Sequence, residues 1–357
     1  MSAETEHASS SPDTLWYTRC PVPSATGVAV QNGWLTEAFA SRGIAVTSLR
    51  HSADRATRES HFTHTLENSF RQGGNAPAIY ARSEGRDTVL IGLQWVPQYQ
   101  GILTLPGSGI QNIGDLAGRR LSLPRRLNDK IDFWRSISLQ GYDNALKHAG
   151  LVLGDVTLVD LPVAASYVDA APGTDDNLGA APRLNRQHQA ELVALLRGEV
   201  DAIFAYSVWG VALREQIGAI EVVNLNLLGE PAYQINNGQP KTLTVSGGLL
   251  RDHPDLVDDY LATLVRAADW AVQNPDQTRR ALAIETGSAE YWLDEGTAPD
   301  IASRLAISLD EALVGALSNR KDFLLRHGFI GNDFDVRGWI DPRPLQRVRA
   351  RTQSLAA

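Results

Sequence analysis

Short apolar runs and longer amphipathic stretches alternate along most of the chain. Val30, Trp34, Leu35 and Phe39 fall at helical spacing and predict a helix over residues 27–40. Short runs rich in β-branched or aromatic residues predict strands over 15–17, 44–49, 76–82, 88–95, 101–105, 156–161, 200–205 and 243–249. Further helical patterns cover 129–150, 184–198, 255–283 and 303–327. This alternation of helices and strands is typical of α/β proteins with parallel sheets.

Two polar segments, 51–74 and 170–181, show a weaker periodicity of apolar residues. Residues 51–60 are predicted to form a loop and residues 63–70 a helix, which Gly73 and Gly74 would end. The segment 170–181, rich in Pro, Gly, Asp and Asn, predicts a loop or a local insertion.

Composition narrows the class of protein and its partners. The chain has 357 residues, 43% hydrophobic and 21% charged, as in globular proteins of about two domains. Its formal net charge of −8 disfavours nucleic acid and anionic membranes as partners. No apolar stretch reaches the ~18 residues of a membrane span. One cysteine and no signal-like pattern in residues 1–13 predict a cytoplasmic location.

Five residues offer chemistry suited to a small oxyanion. Cys20 follows the first predicted strand, and its thiolate would be a nucleophile. His61 can accept a proton, and Arg71 can bind an oxyanion with two parallel hydrogen bonds. Gly73 and Gly74 leave their backbone N–H groups accessible. Taken alone, these residues more often serve as a buried thiol, a solvated imidazole and a helix end, so both interpretations stay open.

Several familiar sites are missing from the sequence. It contains no Gly-x-Gly-x-x-Gly after a strand, no P-loop and no Gly-x-Ser-x-Gly. The eight histidines form no His-Glu-x-x-His pattern, and one cysteine cannot build a thiolate metal cluster. We therefore expect neither a cofactor nor a metal.

The order of elements resembles the type 2 periplasmic-binding-protein fold, an α/β fold with two lobes, mixed and mainly parallel sheets, and a cleft between the lobes. The runs at residues 115–121 and 198–203 stand where that fold usually carries them. The resemblance implies lobe one over 14–118 and 236–342, lobe two over 119–235, and peripheral termini at 1–13 and 343–357. Cys20, at the carboxyl end of a strand, would then face the cleft.

Three short segments resemble the 2'-hydroxybiphenyl-2-sulfinate desulfinase family. They are Cys20-Pro-Val-Pro, His61-Phe-Thr and Arg71-Gln-Gly-Gly, with His61 and Arg71 ten residues apart as in the family. The resemblance implies that Cys20 is the catalytic thiol and that His61 is its partner. Arg71 would anchor the sulfinate, with a backbone N–H of Gly73 bound to the same group.

The family pattern also implies a pocket for the organic part of the substrate. His64 and Leu66 stand where the family carries Tyr and Gln, so it stays open which aryl or alkenyl sulfinate is the substrate. Trp134 and Trp209 are candidate apolar walls, with Gly74 beside the sulfinate and the pair Arg125 and Arg126 as possible anion contacts in lobe two.

The implied reaction is the hydrolysis of an aromatic or alkenyl sulfinate to sulfite and a desulfinated, phenolic product, by a monomer without cofactors. The alternative is a non-catalytic solute-binding protein for sulfonates or similar anions, which would share the cleft and the arginine. A pyrimidine synthase of thiamine biosynthesis is disfavoured by the single cysteine. A ligand sensor without catalysis also stays open.

Overall fold

Residues 11–169 and 188–356 are described by the structure, a computed structural model. The loop predicted at 170–181 lies outside these residues. The strands are β1 Thr14–Arg19, β2 Ala45–Ser48, β3 Ser69–Gly73, β4 Thr88–Gln94, β5 Gln100–Thr104, β6 Arg120–Arg126, β7 Thr157–Val163, β8 Ile203–Tyr206, β9 Ile220–Asn224 and β10 Lys241–Ser246.

Helices occur between the strands in both halves of the sequence. They are α1 Ala25–Gln31, α2 Trp34–Ala40, α3 Arg55–Thr63, α4 Asn75–Ser83, α5 Phe133–His148, α6 Gln189–Leu196, α7 Ser207–Gln216, α8 Pro231–Gln234, α9 Gly247–Asp252, α10 Pro254–Gln273, α11 Pro275–Thr286, α12 Glu290–Gly296, α13 Glu311–Arg326 and α14 Arg343–Ala356. None of the described helices is long and apolar enough to cross a membrane.

A five-stranded sheet in the order β2-β1-β3-β10-β4 forms lobe one. β1 lies parallel to both β2 and β3, whereas β10 returns from the other lobe and runs antiparallel to β3 and β4. β3 is therefore the central strand. Its residues have neighbours on both sides, which fixes the direction of each of its side chains.

The second lobe contains an antiparallel sheet in the order β8-β5-β9 and the parallel pair β6-β7. A parallel bridge between Leu121 and Ala202 links β6 to the start of β8. The expected two-lobed α/β fold with mixed sheets is confirmed. Among the described strands, however, four ladders are antiparallel and three are parallel, so parallel pairing does not dominate.

The first crossing between lobes comes earlier than the expected boundary after residue 118. The expected boundary places β5 in lobe one, but β5 pairs with β8 and β9 in the lobe-two sheet. The chain therefore crosses between β4 and β5. The return crossing precedes β10, close to the expected position at residue 236.

Between residues 51 and 83 the observed secondary structure differs from the prediction in each element. Residues 55–63, which overlap the predicted loop, form α3, because Asp54 caps its first turn and accepts hydrogen bonds from the Ala56 and Thr57 N–H groups. The predicted helix over 63–70 is replaced by a turn and β3. The predicted strand over 76–82 is α4, a buried helix whose alanines favour helical backbone.

Other long helical patterns are interrupted. The helix predicted over 27–40 is two helices, since Gly33 adopts a left-handed backbone with φ of 73° that separates α1 from α2. The pattern over 255–283 is split into α10 and α11 at Pro275, whose nitrogen cannot donate a helical hydrogen bond.

The C-terminal residues, expected to be peripheral, form α14, which packs against α10. Leu345 and Val348 are buried in this contact. The Arg347 guanidinium binds the buried carboxylate of Asp258 through two hydrogen bonds of 2.8 and 2.7 Å. The helix therefore forms part of the lobe-one packing.

Candidate active site

The single cysteine lies directly after β1, at the carboxyl end of the strand, as the sequence predicted. Gly73, at the end of β3, touches it. A Cβ atom on Gly73 would lie 2.5 Å from the Cys20 Sγ, which is closer than non-bonded atoms approach. The sulfur thus occupies the space that any larger residue at Gly73 would fill.

Arg71 brings a positive charge to this sulfur. It lies in the middle of β3, opposite Thr18 on one side and Thr244 on the other, and is only 3% exposed. Its Nη2 is 3.8 Å from the Cys20 Sγ. Its buried Nε and Nη1 atoms make no hydrogen bond within the described residues. These two donors are available to an oxyanion. Burial lowers the pKa of the guanidinium, and the charge of Cys20 raises it.

His61 lies in the last turn of α3, buried beside the same strands. Its Nδ1 and the Thr18 Oγ1 are 3.0 Å apart, and its ring packs against Tyr167 with ring centres 4.9 Å apart. Burial lowers the pKa of His61 well below 6.5, and the charge of Arg71 lowers it further. The ring is therefore neutral at neutral pH.

His64 caps the end of α3 in a left-handed conformation with φ of 50°. The residue is partly exposed, but its Nε2 atom is buried and lacks a hydrogen-bond partner in the described part of the chain. It lines a small cavity of about 10 Å³ together with Thr18, Ser60 and Arg71. Burial and the nearby Arg71 charge lower its pKa well below 6.5.

A cavity of about 770 Å³ lies between the lobes. Lobe one contributes Arg19 and Pro21, the residues on either side of Cys20, and lobe two contributes Tyr167, Trp134 and Trp209. Volumes of this size hold ligands as large as substituted aromatic rings. The cavity is thus bounded by both neighbours of Cys20, although neither Cys20 nor Arg71 is among the residues that line it.

Aromatic rings and unpaired donors line the lobe-two wall of this cavity. The rings of Trp134 and Trp209 lie 6.4 Å apart, and Arg126 lies 5.6 Å from the centre of the Trp134 ring. The Nε1 atoms of both tryptophans and the Tyr167 hydroxyl are buried without hydrogen-bond partners among the described residues. The wall can therefore pack against an aromatic ligand and still donate hydrogen bonds to it.

The remaining predicted residues lie at different distances from this centre. Gly74 precedes α4, and a Cβ atom there would lie 2.2 Å from the Asn237 side chain, so it serves close packing at the lobe boundary. Leu66 lies in the turn between α3 and β3, and it is not among the residues that line either cavity. Arg125 also stays outside, with an exposed side chain.

Two residues near the cysteine escaped the sequence analysis. Tyr206 ends β8, and its buried hydroxyl lies 3.1 Å from the Gln98 Nε2. Lys241 begins β10 and is fully buried. The charge of Cys20 acts on both. Lys241 could have been noticed in the sequence as a lysine at the start of an apolar strand, because lysine is rarely buried without a partner.

Comparison with known proteins relates this site to a family. The chain is 30% identical to the 2'-hydroxybiphenyl-2-sulfinate desulfinase of Rhodococcus erythropolis over 92% of each protein, with the same values for that of Rhodococcus qingshengii. This chain belongs to the 2'-hydroxybiphenyl-2-sulfinate desulfinase family. Residues 183–278 also match the NMT1/THI5 like family model.

Solved structures agree with membership of the desulfinase family. A crystal structure of a cysteine-to-serine variant of DSZB in complex with biphenyl-2-sulfinic acid matches with a TM-score of 0.77 and 26% identity, covering 95% of this chain and 99% of that one. The aliphatic sulphonate binding protein SsuA from Escherichia coli matches with a TM-score of 0.63 and 18% identity, covering 93% and 92%. The second likeness shows the shared fold alone.

We expect Gly73→Ala to reduce kcat by about 10- to 100-fold, because the new methyl group must displace the Cys20 Sγ from its position. Sulfite release under saturating substrate measures this. Gly315→Ala is the matched control, since a Cβ atom there, within α13, meets no atom within 4 Å. An unchanged kcat in Gly73→Ala would show that the sulfur position is not critical.

The buried histidines predict that stability falls in mild acid. The unfolded chain takes up protons near pH 6.5 at His61 and His64, whereas the folded protein takes them up only at lower pH. Each histidine therefore removes up to ~1.4 kcal/mol of stability per pH unit below 6.5 until its folded pKa is reached. Calorimetry between about pH 7.5 and 5.5 should show this fall, with a shallower slope for His64→Gln. Equal slopes would contradict a buried, neutral His64.

Proposed function

We propose that this protein is a sulfinate desulfinase that cleaves the C–S bond of an aromatic or alkenyl sulfinate with water. The products are sulfite and the desulfinated, phenolic compound in which a C–H bond replaces the C–S bond. The observation that supports this function most directly is the contact of 3.8 Å between the Cys20 Sγ and the buried Arg71 Nη2. It places a thiol beside a cation whose Nε and Nη1 donors have no hydrogen-bond partner among the described residues.

Arg71 binds the sulfinate oxygens in this proposal. Its unpaired Nε and Nη1 atoms lie on a rigid central strand, so little reorganisation is needed when an anion arrives. Gly73 packs closely against the sulfur, and its backbone pairs with Thr242 of β10. The low dielectric around these buried groups strengthens each charge-assisted hydrogen bond.

Cys20 acts on the sulfinate in one of two ways. As a thiolate it attacks sulfur, the carbon leaves with the electron pair of the C–S bond and takes up a proton, and water releases sulfite from the sulfur-bound intermediate. As a thiol it protonates the carbon that bears sulfur, while sulfur dioxide departs and is hydrated to sulfite. Mass spectrometry of rapidly quenched turnover separates them, since only the first leaves an adduct on Cys20.

His61 serves as a neutral base or proton carrier near this pair. Its Thr18 contact holds the ring in one orientation, and the neighbouring Tyr167 ring limits its movement. The charge of Arg71 reaches it, as the lowered pKa of His61 indicates. His61 can therefore exchange protons with the reacting groups without carrying a permanent charge.

The cleft suggests an aromatic substrate. The 770 Å³ cavity is walled by Trp134, Trp209 and Tyr167, whose unpaired donors suit a hydroxyl or similar group on the ring. His64 lies behind Arg71, in the small cavity. It therefore contributes to the sulfinate end of the site rather than to the aromatic wall. The proposal also includes a monomeric state and a cytoplasmic location.

The test is a sulfite-release assay on purified protein with a panel of aryl and alkenyl sulfinates. Each sulfinate is paired with the sulfonate of the same carbon skeleton, which a desulfinase should leave intact. We expect stoichiometric sulfite and desulfinated product from at least one sulfinate. Binding of sulfonates without sulfite release from any sulfinate would favour the solute-binding alternative instead.

A further inference from the structure

Arg320 is a second fully buried arginine, and the proposed reaction gives it no role. It lies in α13, and its hydrogen-bond partners in the described chain are all neutral groups. Burial lowers its pKa to about 9, so it is still a cation at neutral pH. Burying a charge without a counterion is costly. The contacts of the guanidinium indicate what this charge is used for.

The guanidinium of Arg320 joins the two lobes. In lobe one, its Nε donates to the Oδ1 of Asn75, at the start of α4, over 3.3 Å. Its Nη1 donates to the Gln140 Oε1 and to the Ser136 carbonyl oxygen, which is 3.3 Å away. Its Nη2 donates to the Ser136 Oγ over 2.6 Å. Ser136 and Gln140 belong to α5, which packs on β6 of lobe two. One buried side chain therefore binds elements of both lobes.

Asn75 extends this contact to the two crossings between the lobes. Its Nδ2 donates to the carbonyl oxygens of Asn236 and Pro240, at 2.8 and 2.9 Å, where the chain returns to lobe one. The Asn236 Nδ2 donates to the Gln100 Oε1 over 2.9 Å. Gln100 begins β5, the first strand after the other crossing. Hydrogen bonds therefore connect Arg320 to both segments about which the lobes could turn.

An apolar contact beside Arg320 strengthens the link between the lobes. Phe323, about one turn later in α13, packs in a buried cluster with Leu123 of β6 and Leu139 of α5. The Arg320 guanidinium lies 5.6 Å from the centre of the Phe323 ring. α13 also packs against α4 and β4 of lobe one. The helix therefore holds lobe two through one charged and one apolar side chain.

The helix that Arg320 binds also carries part of the cavity wall. Trp134 lies in the first turn of α5, two residues before Ser136. Cys20 and Arg71 lie in lobe one, at β1 and β3. The position of α5 relative to lobe one therefore sets the distance between the aromatic wall and the reactive groups.

We propose that Arg320 is a positioning residue that holds α5 of lobe two at a fixed angle to lobe one before any substrate binds. It keeps Trp134 aligned with the Cys20 end of the cleft, so the two halves of the site are assembled in the free protein. The inference goes beyond the proposed function, because it concerns the geometry of the lobes without a ligand.

A distance measured between spin labels on the two lobes tests this without a sulfinate. Ile284 of α11 lines the cleft from lobe one, Leu196 ends α6 in lobe two, and both are exposed. Cys20 is the sole cysteine, so Cys20→Ser leaves labels only at Ile284→Cys and Leu196→Cys. We expect one narrow distance distribution. Arg320→Met should shift its mean or increase its width by more than about 2 Å, the size of a lobe rearrangement.

Two further variants separate the clamp from general packing. Arg326→Met makes the same substitution at an exposed arginine in the last turn of the same helix, and it should leave the distribution unchanged. Ser136→Ala removes one acceptor and keeps the buried charge, so it serves as the test if Arg320→Met does not fold. It should change the distribution in the same direction, by less. A parent-like distribution in folded Arg320→Met, or in Ser136→Ala when Arg320→Met does not fold, would overturn the proposal.

Steady-state kinetics of the otherwise unaltered protein provides a second readout, which rests on the proposed function. Arg320→Met should raise KM for an aryl sulfinate by about tenfold and leave kcat within about threefold, because part of the binding free energy is then used to align the lobes. A fall in kcat at unchanged KM would contradict a positioning role. The distance measurement needs no substrate, so failure of the desulfinase proposal would leave its result valid.

Discussion

Replacing Cys20 by serine is expected to reduce sulfite release by at least about 10³-fold while leaving sulfinate binding within about threefold. A serine hydroxyl is neither as nucleophilic nor as acidic as a thiol, so both possible roles of Cys20 fail. The binding groups are unaffected, because Arg71 and the Gly73 backbone stay in place on β3. Steady-state kinetics and titration calorimetry with the same sulfinate measure the two effects.

Cys20→Ala is a useful companion to the serine variant. It removes the side chain's chemistry altogether, and its activity should match that of Cys20→Ser if the thiol itself reacts. Turnover within about tenfold of wild type in either variant would remove the cysteine from the mechanism. A parallel loss of binding would instead indicate that the sulfur holds the site together.

Arg71→Lys is expected to weaken sulfinate binding by about 10- to 100-fold. The lysine keeps the positive charge but loses the planar fork, and each charge-assisted hydrogen bond contributes ~1.5–3 kcal/mol. Arg71→Met should bind more weakly still. Its Tm should not fall, since the buried guanidinium leaves Nε and Nη1 without partners in the part of the chain that the structure describes. Calorimetric titration and thermal unfolding give both quantities.

An exposed arginine provides the comparison for Arg71. Arg120 pairs with Asp201 at 2.7 Å, away from the cavity, so Arg120→Lys should leave binding unchanged. If Arg71→Lys also bound the sulfinate with wild-type affinity, the anchor would have to be another cation. Arg50 and Arg126, which line the cavity, would then be the residues to test.

The sequence predicted the position of Cys20 and the two-lobed fold well, because both depend on apolar runs that the structure preserves. Leu15 and Tyr17 point into the core, and β1 ends at Arg19, two residues before Pro21. The resemblance of three short segments then selected His61 and Arg71. The structure brings Arg71 to the sulfur, whereas the hydrogen-bond contact of His61 is with Thr18.

The sequence pattern failed to predict elements in which polar residues are buried. β3 has one apolar residue, Phe70, in five, so its pattern does not indicate a strand, although its last four residues are buried. Lys241 similarly breaks the apolar pattern of β10. Such local conflicts between pattern and position are expected at functional sites, and here they occur at the site residues themselves.

The likeness to sulfonate-binding proteins concerns the fold rather than the activity. A receptor needs a cleft and a cation for its anion, and this chain has both. It does not need a thiol in contact with that cation. This contact is what the desulfinase relatives lead us to test first.

The two halves of the site come from different lobes. Cys20 and Arg71 belong to one sheet, while Trp134 and Trp209 reach the cavity from helices across the gap. Headgroup chemistry and recognition of the carbon skeleton are thereby encoded in separate stretches of the gene. A directed-evolution library confined to the tryptophan-bearing half could retarget the protein to new skeletons while leaving its reactive centre untouched.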